Sequence, residues 1–195
     1  MGRSMTEPVP LIILLGPPAT GKTTLGRRLA GELRLPCYSR DDFKERLFDC
    51  LGWSDRAWSR RLGMASWELF WQVIATQLAA GQATIAETNF HHPRDTERFR
   101  ELAARYPYIS LQINCFTRGD VLVERHRARA LSSERHPGHV DHLESVQAEL
   151  NAELSAGRSE PLALGGHLIE LDTTDFAAID YEQLVVTIRR LLPGV

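Results

Sequence analysis

The chain has 195 residues, of which 43% are hydrophobic and 25% charged; 23 Lys and Arg face 25 Asp and Glu, for a net charge of −2. This length suits one α/β domain with a substantial core, spanning 1–195. The near balance of charge excludes a general affinity for nucleic acid or membrane surfaces and leaves only local basic patches.

Residues 1–9 read as a frayed leader before Pro8 and Pro10. The uniformly apolar run 11–15 follows, as expected of a strand buried on both faces. Directly after it, residues 16–23 match G-x-x-x-x-G-K-[ST], the phosphate-binding P-loop. Leu25, Leu29 and Leu33 then recur at helical spacing, so the motif sits between a strand and a helix. That context assigns Gly16, Ala19, Thr20, Gly21, Lys22, Thr23 and Thr24 to nucleotide binding. Glycines let backbone N–H groups curl around a polyphosphate, and the positive end of the next helix faces the same anion. Lys22 is expected on the β- and γ-phosphates of ATP, and the Thr23 hydroxyl on Mg²⁺.

A short strand over 35–39 leads to a helix ending near Leu51, with Asp41 or Asp42 as its N-cap. Residues 53–80 read as one long helix with an apolar stripe through Leu62, Trp67, Phe70, Trp71, Ile74 and Leu78. Trp53 and Trp58, interleaved with arginines, read as half-buried packing rather than a stacking wall. A third strand, 83–88, ends in Glu87. A helix from Pro93, a strand over 109–116 and a helix capped by Asp120 follow. Residues 132–141 carry Pro137 and Gly138 and read as a mobile polar loop, so 120–142 form a candidate lid. His136, His139 and His142 fit no zinc-binding spacing and belong to that loop. A helix over 143–154, a loop, a fifth strand at 167–171 and a closing helix from Tyr181 complete the chain. Strand–helix alternation predicts a parallel, doubly wound sheet.

In such sheets ligands sit beyond the carboxyl ends of the strands, so the P-loop, Asp41-Asp42 and Glu87-Thr88-Asn89 should converge on one crevice. A carboxylate there can accept the proton of an attacking hydroxyl, and Asp41 is placed in that role. Glu87 can orient metal-bound water, bind an acceptor hydroxyl or cap its strand. Arg125 and Arg129 share a helix face that Arg127 does not, and two guanidiniums there can clamp transferring phosphates. Cys37, Cys50 and Cys115 are odd in number, two of them in apolar runs; this suits reduced thiols and a cytoplasmic location. No apolar run approaches a membrane span.

These motifs resemble the small P-loop kinases that include the kinase domain of phage-type polynucleotide kinases, zeta-toxin-like kinases and chloramphenicol phosphotransferase. The resemblance rests on the P-loop, on Ser39-Arg40-Asp41-Asp42-Phe43, on Glu87-Thr88-Asn89, and on the arginine-bearing run 123–129. It implies a three-layer P-loop NTPase fold with sheet order 2-3-1-4-5. It makes Asp41 the catalytic base and Arg129 the transition-state arginine, with Lys22 as their catalytic partner. It puts Asp41, Lys44, Glu87 and Asn89 against the acceptor, where Lys44 replaces an arginine of the nucleic-acid kinases. The expected activity is ATP- and Mg²⁺-dependent transfer of the γ-phosphoryl group to a hydroxyl of a small molecule. Alternatives are a polynucleotide 5′-hydroxyl kinase and a nucleotide-binding regulatory module with weak ATPase activity. The acidic balance of the chain weakens the nucleic-acid reading, because phosphate-backbone affinity leans on many cations.

Overall fold

In a computed structural model of the chain, residues 8–133 and 135–195 are described. Five strands form one all-parallel sheet: β1 (Val9–Leu15), β2 (Cys37–Ser39), β3 (Thr84–Glu87), β4 (Tyr108–Phe116) and β5 (His167–Asp172), in the order β2-β3-β1-β4-β5. Among the described residues seven helices cover the faces: α1 (Lys22–Leu33), α2 (Arg40–Leu51), α3 (Arg56–Ala79), α4 (Arg94–Arg105), α5 (Gly119–Ala130), α6 (Glu144–Ala156) and α7 (Tyr181–Leu191). This is the P-loop kinase fold with the sheet order the resemblance implies. No helix among the described residues is long and apolar enough to cross a membrane.

The centre of the sheet is β1, and all seven of its residues are buried. Side chains alternate across a strand, so β1 supplies two cores at once. Leu11, Ile13 and Leu15 meet Phe70, Trp71 and Ile74 of α3 and Phe99 and Leu102 of α4. Ile12 and Leu14 meet Leu25, Leu29 and Leu33 of α1 and Leu184, Val185 and Ile188 of α7. A strand with no polar face can only be central, which places the loop that follows β1 in the middle of the sheet's carboxyl edge. Buried Gln112 of β4 is satisfied by backbone, its amide donating to Leu162 O and accepting from Leu162 N; buried Asn114 donates to Ser159 O, while its Oδ1 has no hydrogen-bond partner. These bonds tie the segment between α6 and β5 to the sheet.

Several local expectations need correction. The leader expected over 1–9 lies outside the described residues except for Pro8 and Val9, and Val9 is buried as the first residue of β1. Neither Asp41 nor Asp42 caps α2. The cap position is Ser39, and both aspartates sit in the first turn, where their charge suits the positive helix end. Asp120 likewise lies in the first turn of α5, behind Arg118 at the cap. Trp58 donates through Nε1 to Gly52 O, and neither it nor Trp53 lines the central cleft. The segment 132–141 is not simply polar and exposed: it holds a 3₁₀ turn (Pro137–His139) with Gly138, His139 and Val140 buried. All three cysteines are free.

Candidate active site

The carboxyl edge of the sheet opens into a cleft of about 760 Å³. Its floor is the P-loop. Gly16 has φ 137° and Gly21 φ 84°, backbone regions that favour glycine. A Cβ on Gly16 would overlap the Cys115 carbonyl oxygen, and one on Gly21 would overlap the Phe176 ring. Both glycines are therefore required by conformation and by space. Ala19 also has positive φ. Helix α1 starts at Lys22 with no acid in its first turn, so its positive end stays uncompensated at the mouth of the loop. Ala19, Gly21, Lys22, Thr23 and Thr24 line the cleft, while Gly16 and Thr20 lie beneath them, Thr20 donating to Pro17 O at 2.9 Å.

Lys22 is buried and folds back on its own loop: Nζ donates to Pro17 O at 2.6 Å and to Thr20 Oγ1 at 3.3 Å. Burial lowers its pKa, against the pull of nearby Glu87. The Thr23 hydroxyl donates to Glu87 Oε2 at 3.1 Å. Burial pushes the Glu87 carboxyl up, opposed by Lys22 and by hydrogen bonds from Ser39 and Thr23. A hydroxyl and a carboxylate in contact are hard oxygen donors of the kind Mg²⁺ takes, directly or through water. An anion ligand is also suited by Arg129, whose Nε is buried with no hydrogen-bond partner and whose pKa is lowered, mainly by burial.

Across the cleft, α2 presents Asp41 and Lys44, which lie one turn apart on one face. Asp41 is held by two guanidiniums: Oδ1 accepts from Arg40 at 2.9 Å and Oδ2 from Arg135 at 2.9 Å. Burial alone would raise the Asp41 carboxyl, but Arg135 and Arg40 hold it well below the usual range. Lys44 is buried, with Nζ 5.3 Å from the centre of the Phe48 ring, and burial pushes its pKa down to about 8. Asn89 lines the same space.

Two further arginines of the segment 120–142 are engaged by the protein itself. Arg125 lines the cleft, but its guanidinium donates to Thr173 O and Thr174 O, each at 2.8 Å, so it braces the segment after β5. Arg135, by contrast, has no place in the reading of the sequence and is the hub of the site. It bonds Asp41, donates through Nε to Asp141 Oδ2 at 2.7 Å, and approaches Glu45 at 3.6 Å. Asp41 and Asp141 together raise its pKa against the cost of burial. His139 meets Glu45 at 2.9 Å and stands edge-on to Phe48, while His136 stacks on the same ring at 5.0 Å. Burial lowers the His139 pKa, so at neutral pH its contact with Glu45 is a hydrogen bond of a neutral ring. No metal-binding group of His, Cys, Asp and Glu occurs among the described residues. The signal for Arg135 was present only as an arginine before His136-Pro137-Gly138-His139, which does not separate it from a solvated loop.

Comparison with known proteins agrees with this geometry. A search of curated proteins finds no match. A protein from Chloroflexus aurantiacus j-10-fl, described as a candidate kinase, is 46% identical; the alignment covers 95% of this chain and 100% of that one, with a TM-score of 0.89. A sugar kinase from Janibacter sp. HTCC2649 shares the fold at 17% identity and TM-score 0.54, over 95% and 94% of the two chains. A gluconokinase from Sinorhizobium meliloti 1021 does so at 13% identity and TM-score 0.54, over 95% and 93%. The profile of the AAA domain family matches residues 11–152, well over half of the chain, and the chain belongs to that family.

Proposed function

We propose that this protein is a phosphotransferase that moves the γ-phosphoryl group of ATP, with Mg²⁺, to a hydroxyl of a small molecule. The observation that carries the reading is the shared cleft: the P-loop residues Lys22 and Thr23, the carboxylate Asp41 and Arg129, whose Nε is buried, all line it. The chain acts as a single kinase domain, with 120–142 as its lid. A kinase needs a phosphate cradle, a group facing the acceptor and a cation over the transferring phosphoryl, and this cleft supplies one of each.

The P-loop amides, Lys22 and the end of α1 bind the β- and γ-phosphates. Thr23, with Glu87 behind it, holds Mg²⁺, which when bound draws charge from the phosphate oxygens. Asp41 accepts a hydrogen bond from the acceptor hydroxyl and takes its proton as the new P–O bond forms and the bond to the β–γ bridging oxygen breaks. For that, the Asp41 bond to Arg135 has to loosen, because a carboxylate under two guanidiniums is a weak base. Arg129 faces the charge that develops on the phosphoryl oxygens. Arg125 serves the nucleotide by holding the Thr173–Thr174 backbone in place. The direct test is incubation with labelled ATP, Mg²⁺ and a panel of sugars, sugar acids, nucleosides, antibiotics and 5′-hydroxyl oligonucleotides. A labelled small molecule is expected. Labelled oligonucleotides alone would replace this reading with the polynucleotide kinase, and ATP binding without any labelled product would replace it with the regulatory module.

A further inference from the structure

Helix α2 turns an acidic stripe toward the segment 135–141. Asp41, Glu45 and Asp49 are spaced four apart and so share a face of the helix. Each is met by one side chain of the run Arg135-His136-Pro137-Gly138-His139: Asp41 by Arg135 at 2.9 Å, Glu45 by His139 at 2.9 Å and Asp49 by His136 at 3.4 Å. The His136 ring is oriented for its contact, because Nδ1 accepts from Gly138 N at 3.0 Å and leaves Nε2 as the N–H. Between these pairs, Phe48 stacks with His136 and meets His139 edge-on. It lies so close to Gly138 that a Cβ there would come within 2.6 Å of its ring. The turn is therefore fitted to α2 in register. Its end works against that fit. Val140 is buried with φ 55°, a left-handed conformation that β-branched side chains rarely adopt and that persists only under constraint. Strain at the end of the turn opposes the contacts along it, so the turn is held closed but is poised for release.

What the turn holds is the carboxylate that phosphotransfer needs. With Arg40 on Oδ1 and Arg135 on Oδ2, Asp41 is a poor proton acceptor. Resting on the kinase reading, we propose that the turn 135–139 is an autoinhibitory latch: Arg135 masks Asp41 until an acceptor enters the cleft and displaces the turn, so that water in an empty acceptor site is not activated. Arg135, His139 and Asp141 line the cleft beside Asp41. A compound bound there meets the turn, whereas a water molecule fits without moving it. The reaction suppressed is hydrolysis. In it the water oxygen bonds the γ-phosphorus, the bond to the β–γ bridging oxygen breaks, the water proton passes to Asp41, and ADP and inorganic phosphate leave. Arg135 acts through Asp41 and is a positioning residue that sets the choice between an acceptor hydroxyl and water. His136 and His139 hold it in register.

The test measures phosphate release from ATP and Mg²⁺ with no acceptor present. Gly138→Ala forces the turn off the Phe48 ring and leaves Asp41, Arg135 and the P-loop unaltered. It should raise this rate roughly 10–100-fold, part of the 10²–10⁴-fold that a general base contributes. His139→Leu removes the contact to Glu45 and should do the same; it serves as the test where Gly138→Ala does not fold. Adding Asp41→Asn to either variant should abolish the gain, which a general loosening of the protein would not do. Unchanged acceptor-free hydrolysis in both single variants, or a gain that survives Asp41→Asn, would overturn the latch. The acceptor panel, run on the same proteins, separates this outcome from failure of the kinase reading. A labelled acceptor without raised hydrolysis in the variants removes the latch alone. Raised, Asp41-dependent hydrolysis without any labelled acceptor keeps the latch and removes the kinase, and neither signal removes both.

Discussion

The two walls of the cleft are made in different ways. On the phosphate wall, the loop itself is one short stretch, joined by Glu87 at Thr23 and by Arg129. Lys22 bonds Pro17 five positions back, and Thr20 bonds Pro17 three positions back. The acceptor wall is assembled from distant parts: Arg135 reaches Asp41, and His139 reaches Glu45, each across 94 positions. The first wall is closed by short-range bonds within its own loop. The second is an ion-pair network between α2 and the segment 135–141. A phosphate cradle is common to many nucleotide-binding proteins, whereas the choice of acceptor is the property that has to vary, and it sits where a few substitutions on two elements can alter it.

Substitutions can break this division or sharpen it. The largest effect is expected on the acceptor wall. Asp41→Asn should lower kcat by roughly 10²–10⁴-fold while KM for ATP stays nearly constant, because the carboxylate serves the acceptor proton. Single-turnover kinetics with saturating ATP would show it; a comparable loss of ATP affinity would mean that the two walls act as one. On the phosphate wall, Lys22→Ala should cost about 10²–10³-fold in kcat/KM, as for loss of one preorganised charge contact. Its thermal melt should not change, since Lys22 bonds only its own loop; an unfolded variant would give the lysine a structural role.

Arg135→Met tests the lid more than the chemistry. It leaves Asp41 and Asp141 without their shared cation, and breaking a mostly buried pair destabilises by about 3 kcal/mol. Faster hydrogen exchange over 135–141, with exchange in β1 unchanged, is the expected pattern. Uniformly faster exchange would show that the lid is part of the main core.

Acid should loosen the same contact in two stages. His139 has a folded pKa lowered by burial, so its contribution is complete above the ordinary histidine value near 6.5 and falls as pH drops below it. Asp41 and Asp141 are also lowered, so their contribution is present above about pH 4 and is lost as pH falls further through the folded values. Trp53, whose ring lies 6.5 Å from His136, provides a fluorescence signal for both stages. A single transition below pH 4 would remove His139 from the latch. The smallest effect is expected for Asp42→Asn. Asp42 is more than half exposed and meets Arg27 at 3.4 Å on the surface, so kcat should change by less than about fivefold. A loss exceeding that of Asp41→Asn would move the base to Asp42.

Sequence alone determined the frame. The seven buried residues of β1, the eight-residue phosphate loop and the apolar spacing of α1 and α3 are patterns between near neighbours, and near neighbours decide strand, turn and helix. Once strands alternate with helices, parallel pairing and a ligand crevice at the carboxyl edge follow from chain connectivity. Helix ends were less legible: Asp42 and Asp120 have the side chains of caps but lie within the first turn, behind Ser39 and Arg118 at the cap positions. Only the tertiary structure decided which arginine does what. Arg125 and Arg129 look alike along the helix, yet one meets the carbonyls after β5 while the other is left with a buried, unpartnered nitrogen facing the cleft. Arg135 looks like a loop residue until α2 is seen beneath it. A charged side chain takes its role from the charges that surround it, and in this molecule those charges come from elements that the order of the sheet, not the order of the chain, brings together.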